Sequence, residues 1–206
     1  NDAPALKAAD IGIAMGRTGT EVTKDAARMI LADDNFATIV QAVREGRGVL
    51  DNIRKFLRYL LASNLGEVLT VFLGIVGAGL LGLHGEGGAV AVPLLATQIL
   101  WINLITDAGP ALAMGVDPIT EDVMARRPRK PTERVIDGRL WAGVVEIGVV
   151  MALLTLFTLD LFLPGGLVEG TQPLAQARTA CFTVLVLAQL FNCFNARSET
   201  ASAFRG

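Results

Sequence analysis

The spacing of hydrophobic and polar positions changes character along the chain. Over residues 1–36, "APALKAA" and "EVTKDAA" have helical patterning, while "DIGIAMG" and "RMILAD" are short apolar runs of the kind that form strands. Helices alternating with short strands predict the end of an α/β domain built on a parallel sheet. The chain then runs without proline from "NFATIVQAVREGRGVL" to "FLGIVGAGLLG", amphipathic and basic at first and apolar after Arg58. This pattern predicts one continuous helix within 37–83, a stalk that becomes a first membrane span. Three further apolar runs occupy 89–116, 140–163 and 175–197, the last free of charge from Thr179 to Ala196. Each reaches or approaches the roughly 20 residues that cross about 30 Å of hydrocarbon. The expected fold is mainly α, a multi-pass transmembrane helical bundle preceded by the end of an α/β domain and a long stalk helix.

Composition sharpens this picture chiefly through where the charges fall. Nine of the 18 Lys and Arg lie in residues 1–58 and six more in residues 126–139. The connection "HGEGGAV" carries none, and "PGGLVEGTQPLAQAR" carries only Arg178. Seventeen of the 18 basic residues therefore fall on one side of a four-span arrangement. This is the positive-inside pattern and places both chain ends and the 117–139 loop in the cytoplasm. The short loops point to a prokaryotic cell membrane. A formal net charge of −2 gives no reason to expect a nucleic-acid partner. Cys181 and Cys193 stand in one apolar run at a spacing that fits no metal motif, and read as buried thiols. The chain opens in mid-motif without Met, which leads us to expect a fragment of a longer protein.

The charges inside the apolar runs carry the chemistry. Glu67 is the only one in the first span and Asp107 the only one in the second. A carboxylate at a helix centre costs about 2.5 to 3.5 kcal/mol on insertion scales, so it must face a partner or a polar cavity. Asn103, Thr106 and Asp107 stand at i, i+3 and i+4 on one helix face, as Asn64 and Glu67 do at i and i+3. Gly66 allows close helix approach. Gly109 and Pro110 should unwind the second span near 107–110, because proline supplies no N–H and clashes with the carbonyl four residues earlier. Freed carbonyls with these carboxylates, amides and a hydroxyl form an all-oxygen donor set. A hard cation such as Ca²⁺ suits it better than a thiolate-seeking metal. Interhelical packing is the competing role for a lone Asn or Thr, and proton carriage for the acids. In the fourth span Gln189, Asn192 and Asn195 form a polar stripe that serves equally well as ligands or as packing contacts. Glu146 and Asp160 lie toward the ends of the third span and are expected at the interfaces. From spacing alone, Asn1 and Asp2 before "APALKAA" are a helix cap.

At this point several segments match a known family. "NDAPALKAADIGIAMG" resembles the end of the hinge motif of P-type ATPases. "ILADDNFATIVQAVREGR", "FLRYLLASNLGEV", "LWINLITDAGPALAMGVDP" and "ARRPRKPTERVIDGR" resemble the calcium pumps of the sarco/endoplasmic reticulum type and their bacterial relatives. The likeness runs over about residues 1–163 and more loosely beyond. It implies a haloacid-dehalogenase-like phosphorylation domain ending within 1–36, and spans that are the fifth to eighth helices of a ten-helix pump.

The resemblance also implies roles. Asn64, Glu67, Asn103, Thr106 and Asp107 become calcium ligands, with Asp107 bridging two ions. Asn1 and Asp2 lie near the magnesium and phosphate of the phosphorylation site. Gln189 aligns where two-ion pumps supply a Glu, so it is a weaker ligand and leaves one or two ions per cycle open. The whole protein would export Ca²⁺ through an aspartyl-phosphate cycle with protons returning, using Mg²⁺ and ATP bound mainly by missing upstream domains. Further helices would follow downstream, and the bilayer surrounds the spans. A fragment without the phosphorylated Asp is inactive by itself. Manganese accepts the same oxygen donors, so an Mn²⁺/Ca²⁺ pump of the family is one alternative. A cation/proton carrier not driven by ATP, or a purely structural four-helix bundle, is the alternative outside it.

Overall fold

A computed structural model describes residues 2–85, 89–119, 121–130 and 132–197. They fall into two compact units, Asn1–Leu50 with Pro118–Arg127, and Asp51–Asp117 with Pro128–Gly206.

In the first unit, helix α1 (Ala3–Ala8), strand β1 (Ile13–Met15), helix α2 (Glu21–Ala26) and strand β2 (Met29–Leu31) follow in order. The strands pair in parallel with Ile13 opposite Met29 and Met15 opposite Leu31, so α2 is the crossover that a parallel pair needs. Glycine is required where the chain doubles back. A Cβ on Gly12 would stand 2.3 Å from the carbonyl oxygen of Leu6, and one on Gly16 2.7 Å from that of Leu31. Thr20 caps α2 by accepting from the Thr23 amide. Asp34 adopts φ 56°, a left-handed conformation that Asp tolerates. Its carboxylate accepts the backbone N–H groups of Arg17 and Thr18, each at 2.8 Å. These bonds hold its carboxyl below the usual carboxylate range. Arg47 donates to the carbonyls of Val123 and Arg126 at 3.0 and 2.9 Å.

The helix α3 runs from Thr38 to Val76 without interruption, and its residues from Asp51 onward belong to the second unit. Helix α4 (Ala96–Trp101), a π-helical stretch (Ile102–Thr106) and helix α5 (Ala108–Gly115) come next. They are followed by α6 (Gly138–Phe162) and α7 (Leu174–Ala196). By length and composition, α3, α6 and α7 are the helices apolar enough to cross a membrane among the described residues. The second apolar run is divided among α4, the π stretch and α5. Its irregularity lies at 102–107 rather than at the expected 107–110. Pro110 explains the difference, because α5 restarts at Ala108 and places the proline in a first turn, where no N–H is owed to an earlier carbonyl. The distortion then falls just ahead of it, where Asp107 N–H donates to the Ile102 carbonyl at 3.0 Å.

Ile102, Met151, Leu156, Leu159, Cys181 and Leu185 are among the residues forming the main core of this unit, while Phe72, Leu104, Leu153 and Phe191 on the same elements stay exposed. Helices with an apolar outer face as well as an apolar core fit a lipid surround. Cys181 donates to the Thr155 carbonyl at 3.3 Å, and both cysteines are free. Asp160, expected at an interface, is buried, and its carboxylate accepts the N–H groups of Leu167 and Val168 at 2.7 and 2.9 Å. It thereby pins the loop that follows α6.

At the other end of the unit, Asp117 accepts from Lys55 at 2.5 Å and from Arg197 at 2.9 Å. Burial pushes its carboxyl up, but these two cations outweigh burial and hold it below the usual range. A depressed folded pKa adds stability that is complete above the unfolded carboxylate value of about 3.9 and is lost as pH falls through the folded value. Asp117→Asn should therefore lower the melting temperature in detergent at pH 7, and the gap from wild type should narrow below about pH 4. A gap unchanged between pH 7 and 3.5 would show that the ion pairs contribute nothing.

Candidate functional site

Three elements of the second unit supply polar side chains around Glu67, all of them buried except Asn103, which is exposed. Helix α3 supplies Tyr59, Ser63 and Glu67 at four-residue spacing, which is one face of the helix. The α4–π–α5 segment supplies Asn103 and Asp107, and α7 supplies Gln189 and Asn192. Glu67 is 3% exposed and sits between two amides. Asn103 Nδ2 donates to its Oε2 at 2.7 Å, and Gln189 Nε2 donates to its Oε1 at 2.9 Å. An ionised carboxylate only accepts, so both amides turn nitrogen toward it.

Asp107 is 2% exposed. Its Oδ1 accepts the Tyr59 hydroxyl at 2.8 Å. The widened turn at 102–106 thus sends neighbouring polar side chains in two directions, Asn103 to donate to Glu67 and Asp107 to accept from Tyr59. Asp107 Oδ2 and Gln189 Oε1 are buried acceptors without a hydrogen-bonding partner among the described residues, and Ser63 Oγ and both amide atoms of Asn192 share that condition. Leaving such a group unsatisfied costs about 1 to 3 kcal/mol. Several together call for partners beyond the described residues.

The remaining expected residues are placed as follows. Asn64 is half-buried and donates back to the Leu60 carbonyl of its own helix at 2.9 Å, so it is turned along α3. Thr106 is half-buried at the end of the π stretch. Asp2 is exposed, and although it precedes α1 its side chain makes no cap hydrogen bond, which leaves its carboxylate available. Asn1 lies outside the described residues. Tyr59 escaped the sequence reading because a tyrosine at the edge of an apolar run reads as an interfacial anchor. Its spacing of four from Ser63 and eight from Glu67 was the available signal. Among the described residues no three His, Cys, Asp or Glu side chains converge, so any cation here would rely on two carboxylates with amide, hydroxyl and backbone oxygens. Oxygen-only sets suit Ca²⁺, Mn²⁺ and Mg²⁺.

Comparison with known proteins identifies a family. The family model described as "Cation transporting ATPase, C-terminus" matches residues 91–206. A calcium-transporting ATPase of Bacillus subtilis is 45% identical over 201 residues, covering 98% of this chain and 21% of that protein. Calcium-transporting ATPase 1 of Bacillus cereus is 45% identical over 217 residues, covering 99% of this chain and 23% of that protein. An endoplasmic reticulum-type calcium-transporting ATPase 2 of Arabidopsis thaliana is 46% identical over 157 residues, covering 75% of this chain and 14% of that protein. The chain spans about a fifth of the length of the two Bacillus relatives.

Proposed function

The chain belongs to the cation-transporting ATPases, and we propose that within a longer protein it forms much of the intramembrane ion site of an ATP-driven pump that exports Ca²⁺ from the cytoplasm. The observation that carries this reading is Glu67, a buried carboxylate held between amides of two other elements. Each amide can exchange its donor for its oxygen by rotating end for end. Asn103 and Gln189 then offer carbonyl oxygens beside the Glu67 carboxylate, and Asp107 contributes the Oδ2 that has no partner among the described residues. Thr106, Asn64 and the backbone of the π stretch complete the set. Six to eight oxygens of this kind are what a calcium ion takes.

Discharge of the ion leaves two carboxylates buried near one another, which is costly as a pair of anions. Protons take the vacated place and return to the cytoplasm, giving counter-transport. In this reading residues 1–36 end a haloacid-dehalogenase-like phosphorylation domain, with Asn1 and the uncapped Asp2 near its magnesium and phosphate. Residues 37–83 are the stalk and first span, 117–139 a cytoplasmic loop, and both chain ends are cytoplasmic. ATP and Mg²⁺ are bound mainly by parts of the pump outside this chain. The relatives named as calcium-transporting favour Ca²⁺ over other hard cations.

The test is phosphorylation of the intact protein in its membranes by radiolabelled ATP at graded cation concentrations. An acid-stable phosphoprotein that forms with micromolar Ca²⁺ and not with equal Mn²⁺ is expected. Equal response to both ions would make it an Mn²⁺/Ca²⁺ pump of the same family. No phosphoprotein under any cation would favour the carrier that ATP does not drive.

A further inference from the structure

The three elements that carry the acid cluster are joined a second time, beyond it. Asp117 lies two residues past α5, and its carboxylate accepts from Lys55 of α3 at 2.5 Å and from Arg197, the residue after α7, at 2.9 Å. Asn52, one turn back on α3, donates from Nδ2 to the Asp117 carbonyl at 2.9 Å. The Lys55 and Asp117 side chains are only 13% and 12% exposed. Ion pairs in open water contribute little, whereas a nearly buried pair that loses one member leaves an uncompensated charge. The end of α5 is therefore tied firmly to α3 and to α7.

One side chain connects this cluster with the acids. Tyr59 stands four residues along α3 from Lys55, on the same face, and is fully buried. It packs in one apolar cluster with Met114 of α5 and Ala196 of α7. Its hydroxyl donates to Asp107 Oδ1 at 2.8 Å. Helix α5 is thus held against α3 at both ends, by Tyr59 on Asp107 and by Lys55 on Asp117. A π-helical stretch separates α5 from α4, so Asp107 does not inherit its place from one unbroken helix. Contacts made by α5 itself decide where that carboxylate stands.

We propose that Lys55 and Asp117, with Arg197 closing the cluster on α7, are positioning residues for the cation site. They fix α5 against α3, and with it the aim of Asp107 and of the tyrosine that holds it. None of the three belongs to the oxygen set. The inference rests on the reading of Glu67 and Asp107 as cation ligands. Without the Lys55 charge the end of α5 is released, Asp107 meets the ion from a displaced place, and affinity falls. Phosphorylation chemistry belongs to other parts of the longer protein in this reading, so its maximal level stays.

The experiment measures phosphorylation of the intact protein by radiolabelled ATP across a calcium series, with melting temperatures in detergent alongside. Lys55→Gln leaves Asp117 paired with Arg197. It should raise the Ca²⁺ concentration for half-maximal phosphorylation at least about fivefold, the lower end of usual couplings between sites, with the maximal level retained. Lys55→Arg should return most of the affinity. Tyr59→Phe should raise the requirement as well, and adding Lys55→Gln to it should cost less than about twofold more, because both act on Asp107. Asp160→Asn is the control. It loosens the loop after α6, at the other end of the unit, and should lower the melting temperature with the calcium response unchanged. Arg197→Gln removes a side chain that is 57% exposed, which the fold tolerates, and should raise the requirement at least about twofold even where Lys55→Gln fails to accumulate. An unchanged requirement in the lysine and arginine variants, beside a wild type that responds to Ca²⁺, would overturn the proposal and leave the cluster a stabilising contact. Fully additive effects of Lys55→Gln and Tyr59→Phe would overturn the route through Asp107. A wild type with no calcium-dependent phosphoprotein would overturn the transport reading, and this inference with it.

Discussion

Glu67→Gln in the intact protein is expected to reduce ATP-driven ⁴⁵Ca²⁺ uptake into inverted membrane vesicles to background, and Asp107→Asn to do the same. Two losses combine at Glu67. The substitution removes a negative charge from a buried place, where a charge-assisted contact is worth about 1.5 to 3 kcal/mol, or roughly 10- to 150-fold in affinity. It also spoils the donor arrangement. The new amide puts an NH₂ group against either Asn103 or Gln189, both of which present nitrogen to the Glu67 oxygens. One of those side chains must turn, and the pocket meets the ion in a different pattern of oxygens. Asp107→Asn keeps an oxygen for Tyr59 but removes the charge beside the unpartnered Oδ2. Phosphorylation from ATP should then need at least about tenfold more Ca²⁺ in either variant. Asn64→Ala should do less, since that amide is turned back onto Leu60. Undiminished uptake by Asp107→Asn, with normal protein levels, would return the cluster to helix packing.

The contrast among these residues shows how far sequence carries a membrane site. Glu67, Asn103 and Gln189 were legible because an intramembrane charge is costly enough to require a partner, and helical spacing limits which residues can be one. Orientation was not legible. Asn64 and Glu67 share a face by spacing, yet one bonds along its own helix and the other across to two elements. That choice depends on which neighbour arrives within 3 Å, which no single-helix period contains. The π stretch is a similar case. Proline announces a break, but the carbonyl that changes partner is decided by where the next helix restarts. Asp160 was read as an interfacial acid from its place near the end of α6, but its partners, amides seven and eight residues later in a loop, were not legible. Backbone donors of loops leave no trace in composition. The short strands were easier, since a parallel pair with a crossover helix follows from local pattern alone.

Gly148→Leu is expected to destabilise the bundle and to lower cation affinity together, although Gly148 contacts no ligand. Its Cβ would stand 3.0 Å from Leu65 Cγ, and a Cβ on Gly66 would stand 3.1 Å from Met151 Cβ. The backbones of α3 and α6 therefore approach through two glycines, the close packing that small residues permit between membrane helices. Gly148→Ala asks Leu65 to shift by a few tenths of an ångström, including its Cβ at 3.1 Å, which moves only with the backbone, and should cost less than leucine does. Leucine cannot be accommodated that way. It must separate the helices or leave its rotamer, at about 1 to 3 kcal/mol. Glu67 directly follows Gly66, so separation at this crossing moves the carboxylate relative to Asn103 and Gln189, which are held by other elements. The melting temperature in detergent should fall, and the Ca²⁺ concentration for half-maximal phosphorylation should rise several-fold. Gly46→Leu is the matched control on the same α3 helix, because a Cβ there meets nothing within 4 Å. If Gly148→Leu lowers stability with an unchanged calcium response, Glu67 is positioned by its hydrogen bonds alone. If it raises the calcium requirement along with the loss of stability, the glycine crossing is part of what sets the site.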